Sequence, residues 1–476
     1  MDADCCVDCP GTSCRAGFRG LLLACCFAVL SPSFSGAAEP AVPALDLCME
    51  RMGQAIGRAE HVMPELSRAA ARVAQRWIDG RDLHAAGNDC ATDEACYRAG
   101  GLIGMRRIGP VRKDRISSQV TWADVPSQSL ILYTMHRNVD PDQVLFEDLD
   151  RLSSKGDTVV LFGSKRWLSC RRMAETLERR LGSERFFLID ADLPVDTSLR
   201  SPGGVGYGET AGMAMTAHLW AFTAEVVAAC TRLRRMPAIW PSGAIPQFEA
   251  WEQRYANARF HDDCAVPPIA AGVLGRRYLE ILREQVQACA GSATQVAAAA
   301  RMLAAVPASN GVYAMVESHL LAGESALPVE LPDWLLVQRT WRWPQASRSM
   351  RQGDAALWIG TFAWPSREIA SAQSSQHPFV AVTLEGPGEA PRRAPLDGSA
   401  RIAVEPSPAA TAAAAAPPGT LWVPAPWQYP DAVLNLEAYP LPICPTSSVV
   451  NGVLLWSIVG SVLDLRGPTP KTRDAP

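Results

Sequence analysis

Two spacings of apolar residues alternate along the chain, and together they outline an α/β protein. Between Met52 and Trp77 the positions Ile56, Ala59, Met63, Leu66, Ala70, Val73 and Trp77 recur at helical spacing, and Pro64 divides them into two predicted helices. Residues 83–86 form a short apolar run suited to a buried strand, which Gly87 and Asn88 break. Thr92 and Glu94 then open a helical segment that closes at Gly100 and Gly101. Residues 129–135 read as a buried strand. Residues 141–152 read as a helix with Val144, Leu145, Leu149 and Leu152 on one face. The run DTVVLFGS, 157–164, is apolar without alternation, as a parallel strand covered on both faces requires. An amphipathic helix over 168–181, a strand over 185–192, a flexible glycine-rich loop over 202–209 and a long apolar helix over 210–233 complete the first half.

The second half repeats this order. Two helices are predicted over 270–306, then strands over 310–318, 335–340, 353–361 and 378–385; LWVPAP resumes at Leu421, and an apolar helix covers 447–463. GDTVVLFGS (156–164) lines up with GDAALWIGT (353–361), and His218-Leu219-Trp220 with Leu454-Leu455-Trp456. Alternating strands and helices imply parallel sheets with right-handed crossovers, and the repeated order implies a duplicated domain. The expected organisation is a first α/β domain over 45–265 and a second over 266–465. The second carries a proline- and alanine-rich insertion at 386–420, and a tail follows at 466–476.

Composition narrows the function classes. The 476 residues are 48% hydrophobic and 20% charged, enough for two ordinary cores. A formal charge of −4 and a pI near 6.0 give no basic footprint, which excludes a nucleic-acid partner as the default. The first 38 residues have their own anatomy: Arg15 and Arg19, an apolar run over 21–30, then small residues at Ser35, Ala37 and Ala38. That is the build of a secretory signal peptide cleaved after Ala37 or Ala38, and its run is shorter than the roughly 20 residues of a bilayer span. The expected location is secreted or periplasmic, with no integral span in the mature chain. A start near Met49 or Met52 would instead make the protein cytoplasmic. Leu22-Leu23-Ala24-Cys25 looks like a lipoprotein box, but the apolar core runs on past Cys25. Of 14 cysteines six lie in this leader, and the spacing of Cys48, Cys90, Cys96, Cys170, Cys230, Cys264, Cys289 and Cys444 contains no CxxC metal signature. At most one or two disulfides are expected. Cys170, Cys230 and Cys289 sit in apolar helical contexts that suit buried free thiols.

The candidate chemistry gathers at strand ends. The stretch 82–105 is a strand, a ligand-sized turn containing Asn88 and Asp89, and a helix start, where free N–H groups can receive an anion or a sugar hydroxyl; a plain strand-to-helix connection has the same pattern. General acid and base work needs groups that can hold and release a proton, and carboxylates and histidines suit it. Glu94 and Glu209 with His84 or His218 are candidates in the first half, and Glu317, Glu324 and His319 in the second. His84 within a strand and His218 on an apolar helix also fit core histidines. Lys165, Arg166, Arg171 and Arg172 could hold an anion beside Ser164 or form a solvated basic face. Trp334, Trp341, Trp343, Trp358 and Trp364 could stack on sugar rings or pack the core.

The helical lead-in, the strand with a polar turn, the Gly-Asp strand ending in Ser or Thr, and the closing helix after a Ser/Thr loop together resemble the SIS, or sugar isomerase, domain. YRAGGL (97–102) is similar to a motif of a bacterial subgroup of uncharacterised phosphosugar-binding SIS proteins, and ESHLLAGE (317–324) partly echoes the Gly-His-Ser turn that precedes it there. The resemblance spans roughly 45–465 and implies two tandem flavodoxin-like sheets that bind a sugar or sugar derivative between them, with isomerase activity or as a noncatalytic binding or scaffold protein. It implies no cofactor or metal, and it leaves a homodimer open. Phosphate-turn positions map to Ser164 and Lys165 and to Thr361 and Ser366; the second Ser/Thr loop maps to Thr446, Ser447 and Ser448, and in the first half to Glu209 and Thr210. The turns read GSKRWLS and GTFAWPS, without the glycine that lets backbone N–H groups curl around phosphate, and the first-half turn is AGND.

Overall fold

The predicted strands assemble into two parallel sheets, each flanked by helices, in a computed structural model that describes residues 42–87, 89–109, 119–135, 145–201, 204, 206–242, 245, 248–316, 334–338, 343–360, 362–387 and 416–466. Pro40–Pro476 form a single unit. In chain order the first half comprises α1 (Pro43–His61), α2 (Met63–Ile78), β1 (Leu83–Gly87), α3 (Asp89–Tyr97), β2 (Met105–Ile108), β3 (Gln119–Val120), β4 (Ser129–Thr134), α4 (Leu145–Lys155), β5 (Gly156–Gly163), α5 (Leu168–Leu181), β6 (Phe186–Asp190), β7 (Ser198–Arg200), β8 (Gly206–Glu209) and α6 (Ala211–Arg232). After α7 (Phe248–Tyr255) come α8 (Val273–Ala288), a 3-10 turn at Cys289–Ser292, α9 (Ala293–Ala304), β9 (Val312–Val316), β10 (Leu335–Gln338), α10 (Trp343–Ser349), β11 (Ala355–Ile359), α11 (Ser366–Ser374), β12 (Phe379–Thr383), β13 (Thr420–Pro424), β14 (Ala432–Leu434), β15 (Ile443–Pro445) and α12 (Ser447–Arg466).

The first sheet has the order β3-β2-β1-β4-β5-β6 and the second β10-β9-β11-β12-β13, with every pairing in both parallel. All residues of β4, β5, β11 and β12 are buried, which explains their unbroken apolar runs. In each half the chain runs outward one way from the opening strand and then returns to its other side. The direction therefore switches between β1 and β4, and again between β9 and β11. In open α/β sheets such a switch leaves a crevice at the strands' carboxyl ends. Each half then closes with an antiparallel pair, β7–β8 or β14–β15, followed by a long apolar helix.

Those closing helices, α6 and α12, are long and apolar enough to cross a membrane, yet protein covers 100% and 89% of their most apolar stretches. A helix that is apolar all round is stable in water only when enclosed, and here α6 packs on α2 and α8 while α12 packs on α1 and α9. One hydrophobic core runs through both halves, and fully burying each Leu, Val or Phe in it contributes about 1.5–3 kcal/mol.

Two expectations change. Residues 206–209, expected within a flexible loop, form β8 and pair with β7. The alignment of 156–164 with 353–361 is offset by one strand: β11 lies next to the opening strand of its sheet, as β4 does, whereas β5 is one place further out. The shared Gly-Asp is an anchor at the amino end of each strand, opposite the carboxyl end. Asp157 pairs with Arg76 at 2.5 Å, and Asp354 accepts hydrogen bonds from the N–H groups of Gly311 at 2.8 Å and Arg351 at 2.6 Å. The same local need therefore recurs on non-equivalent strands and gives them similar sequences.

Candidate functional site

The residues placed at strand ends by sequence separate into two groups. Ser164 and Lys165 follow β5, one strand away from the β1/β4 switch. Ser164 is fully buried and donates its hydroxyl to the Leu193 carbonyl at 2.7 Å, while the Lys165 N–H donates to Asp190 Oδ1 at 3.1 Å. Asp190 also receives the Asp192 N–H at 3.0 Å and lies 3.6 Å from Arg58, and Arg166 is held by Asp192 at 2.7 Å. The turn thus spends the Ser164 hydroxyl on a backbone carbonyl, and the Lys165 N–H and the Arg166 guanidinium on the chain's own carboxylates. Ser366 is an exposed residue at the start of α11.

Glu94, Thr446, Ser447 and Ser448 behave differently, because the fold brings them together across the two halves. Glu94 lies on α3, the helix that leaves the first sheet after β1, while Thr446 directly precedes α12 and Ser447 and Ser448 begin it. Ser448 donates to Glu94 Oε1 at 2.6 Å; Arg98, directly after α3, stands 3.7 Å from Glu94 Oε2 and donates to Ser447 Oγ at 2.5 Å. Arg98 also pairs with Asp431, whose Oδ1 receives the Ser447 N–H at 2.9 Å. Further along α12, Asn451 donates to the Gly360 carbonyl at 3.1 Å, directly after β11, and receives the Trp427 indole N–H at 3.1 Å. The start of α12 therefore sits against the carboxyl end of β11, at the switch of the second sheet. Glu94, Thr446, Ser447 and Asn451 are 0% exposed. Thr446 Oγ1 is enclosed and has no hydrogen-bond partner among the described residues.

Electrostatics follow from this enclosure. Burial pushes the Glu94 carboxyl above the usual carboxylate range, opposed by Arg98 and Ser448. Nearby, Asp93 and Arg107 form a buried pair at 2.7 Å that ties α3 to β2. Burial lowers His84 and His218 to about 4. His218 Nδ1 meets the Ala214 carbonyl at 2.8 Å inside α6, and neither ring nitrogen of His84 has a hydrogen-bond partner among the described residues, so both are neutral core side chains. Trp343 and Trp358 pack with Phe379 and Ile369, with Trp364 against them, as core. The described cysteines, including Cys170, Cys230 and Cys289, are free thiols.

Asn88, Glu317, His319, Glu324, Trp341 and Thr361 lie outside the described residues, and the side chains of Asp89 and Glu209 are likewise not described. Sequence reasoning did not single out Arg98, Asp431 or Asn451. The signal for Arg98 was present in YRAGGL, where Gly100 takes φ +83° and donates its N–H to the Trp240 carbonyl, and its own carbonyl accepts the Cys444 N–H at 3.1 Å. A Cβ on Gly100 would stand 2.8 Å from both Ala432 Cβ and Cys444 N, so this motif docks the β14–β15 pair that leads into α12.

No family model matches the chain, and no curated protein does. Among solved structures it is similar to a protein of Salmonella typhimurium LT2 described provisionally as sugar-binding, with 9% identity over 88% of this chain and 99% of that one and a TM-score of 0.45. It is also similar to a protein of Silicibacter pomeroyi DSS-3 described provisionally as a phosphosugar isomerase, with 11% identity over 87% of this chain and 97% of that one and a TM-score of 0.38.

Proposed function

We propose that the protein is exported and binds a sugar or sugar derivative at the switch of the second sheet, where the start of α12 meets β11 and α3. The observation that carries this reading is the enclosed, uncommitted Thr446 hydroxyl, set beside Ser447, Ser448 and Asn451 at a parallel sheet's carboxyl end. Hydroxyl and amide groups supply the alternating donors and acceptors that a polyol matches, and open α/β sheets bind ligands at this place. Glu317, His319 and Thr361 complete the site in this proposal, since they follow β9 and β11 in sequence.

A catalytic version rests on Glu94. Its carboxyl is raised by burial and so retains a proton more readily, as an acid in aldose–ketose isomerisation must.

The test is a thermal-shift screen of the chain from Glu39 onward against free sugars, amino sugars and uronic acids, followed by calorimetry on Thr446→Val. Binding to the folded state raises the melting temperature with ligand concentration. Stabilisation by a sugar that Thr446→Val abolishes supports the site, and stabilisation unchanged in that variant places binding elsewhere. Interconversion of the bound sugar, lost in Glu94→Gln, would establish isomerisation. Amino-terminal sequencing of exported protein should begin at Ala38 or Glu39; an intact leader on the accumulated protein would end the export reading.

A further inference from the structure

The start of α12 has the parts of an anion site. A 20-residue helix presents its N-terminal N–H groups, a buried arginine stands beside them, and serine hydroxyls flank both. We propose that Asp431 is a built-in anion filling this position, so that the sugar bound there carries no phosphate or carboxylate at the helix end. This deepens the sugar-binding reading and rests on it only for the word sugar.

Asp431 is 3% exposed and uses both carboxylate oxygens. Oδ1 takes the first helical N–H of α12, from Ser447, at 2.9 Å, and Oδ2 pairs with Arg98, which also donates to Ser447 Oγ. A charge-assisted pair of this kind is how proteins hold a phosphate or carboxylate ligand. The backbone supports the same assignment. Asp431 has φ +86°, a left-handed conformation that favours glycine, and a carboxylate is nevertheless kept there. A second anion would have to displace it, leaving the carboxylate buried against its own charge. A neutral sugar meets no such barrier and finds the Thr446 hydroxyl alongside.

The experiment removes the built-in anion and supplies one from solution. Asp431→Gly suits the backbone and vacates the carboxylate space before Arg98. Its melting temperature should fall below that of the native chain, and formate or acetate at tenths-molar concentration should raise it saturably by about 2–4 °C. Chloride at equal ionic strength should not do so, and the native chain should not respond. The double variant Arg98→Met with Asp431→Gly should lose the rescue, which separates a specific anion site from a general salt effect. Should Asp431→Gly fail to fold when expressed alone, soluble protein recovered by refolding in formate and not in chloride supports the assignment. Failure in both media overturns it, as does rescue by chloride or rescue that survives in the double variant. Rescue without any sugar binding would sink the functional reading and leave the built-in anion standing; sugar binding without rescue would do the reverse.

Discussion

Glu225 provides a direct measure of what joins the two halves. Its carboxylate is fully buried on α6 and accepts three hydrogen bonds: from Ser67 Oγ of α2 at 2.7 Å, and from the N–H groups of Gly272 at 2.6 Å and Gly275 at 2.9 Å at the start of α8. The first N–H groups of a helix have no partner within it, and the helix dipole favours a negative charge there, so this carboxylate caps α8 from a neighbouring element. Glu225→Ala strands three buried donors. At about 1–3 kcal/mol for each stranded group the upper sum is near 9 kcal/mol. Relaxation and entry of water reduce it towards the ~3–5 kcal/mol typical of breaking a buried charged contact. Glu225→Gln keeps one acceptor and turns an amide NH2 towards a donor, so about half that loss is expected. Urea unfolding followed by far-UV circular dichroism and tryptophan fluorescence measures both, provided the two signals coincide. An alanine variant within about 1 kcal/mol of the native chain would refute the capping argument.

Other perturbations probe separate features. Gly100→Ala combines positive φ with contacts at 2.8 Å to Ala432 and Cys444 and should cost about 2–3 kcal/mol. Gly80→Ala, with φ +96° and open space just past the end of α2, should cost only about 1 kcal/mol, and equal losses in calorimetry would deny the docking role of YRAGGL. His84 and His218 have folded values near 4, below the ordinary 6.5, so the unfolded chain takes up protons first as pH falls. Their stability contribution is therefore complete above pH 6.5 and is lost between 6.5 and 4, with a slope of up to about 1.4 kcal/mol per pH unit for each group. Denaturation of His218→Gln across that range should show a flatter pH dependence, and an unchanged slope would count against a buried neutral ring. Cys170, Cys230 and Cys289 should resist alkylation in the native state and react on unfolding, with dithiothreitol leaving the melting temperature unchanged; a reductant-dependent melt would show that disulfides matter.

Local patterning determined much of this protein before any contact was known. Unbroken apolar runs specified β4, β5, β11 and β12, because strands covered on both faces have no solvent side to mark with polar residues. Helical spacing placed α2 and α5, and Pro64 sits in the first turn of α2, where the missing N–H costs nothing. Strand order was not legible in this way: GDTVVLFGS and GDAALWIGT read alike, yet they take different places in their sheets, because which strands become neighbours depends on crossover packing. β2 is not marked by such a run, because MRRI carries two arginines; it joins the sheet through its ladders with β1 and β3, and Arg107 is buried there against Asp93. The candidate site divides along the same line. Glu94 and the 446–448 hydroxyls were visible as residue types at element ends. Their meeting with Arg98 and Asp431, 333 residues apart in sequence, was decided by tertiary packing alone, since no local spacing encodes a contact between helices of different halves.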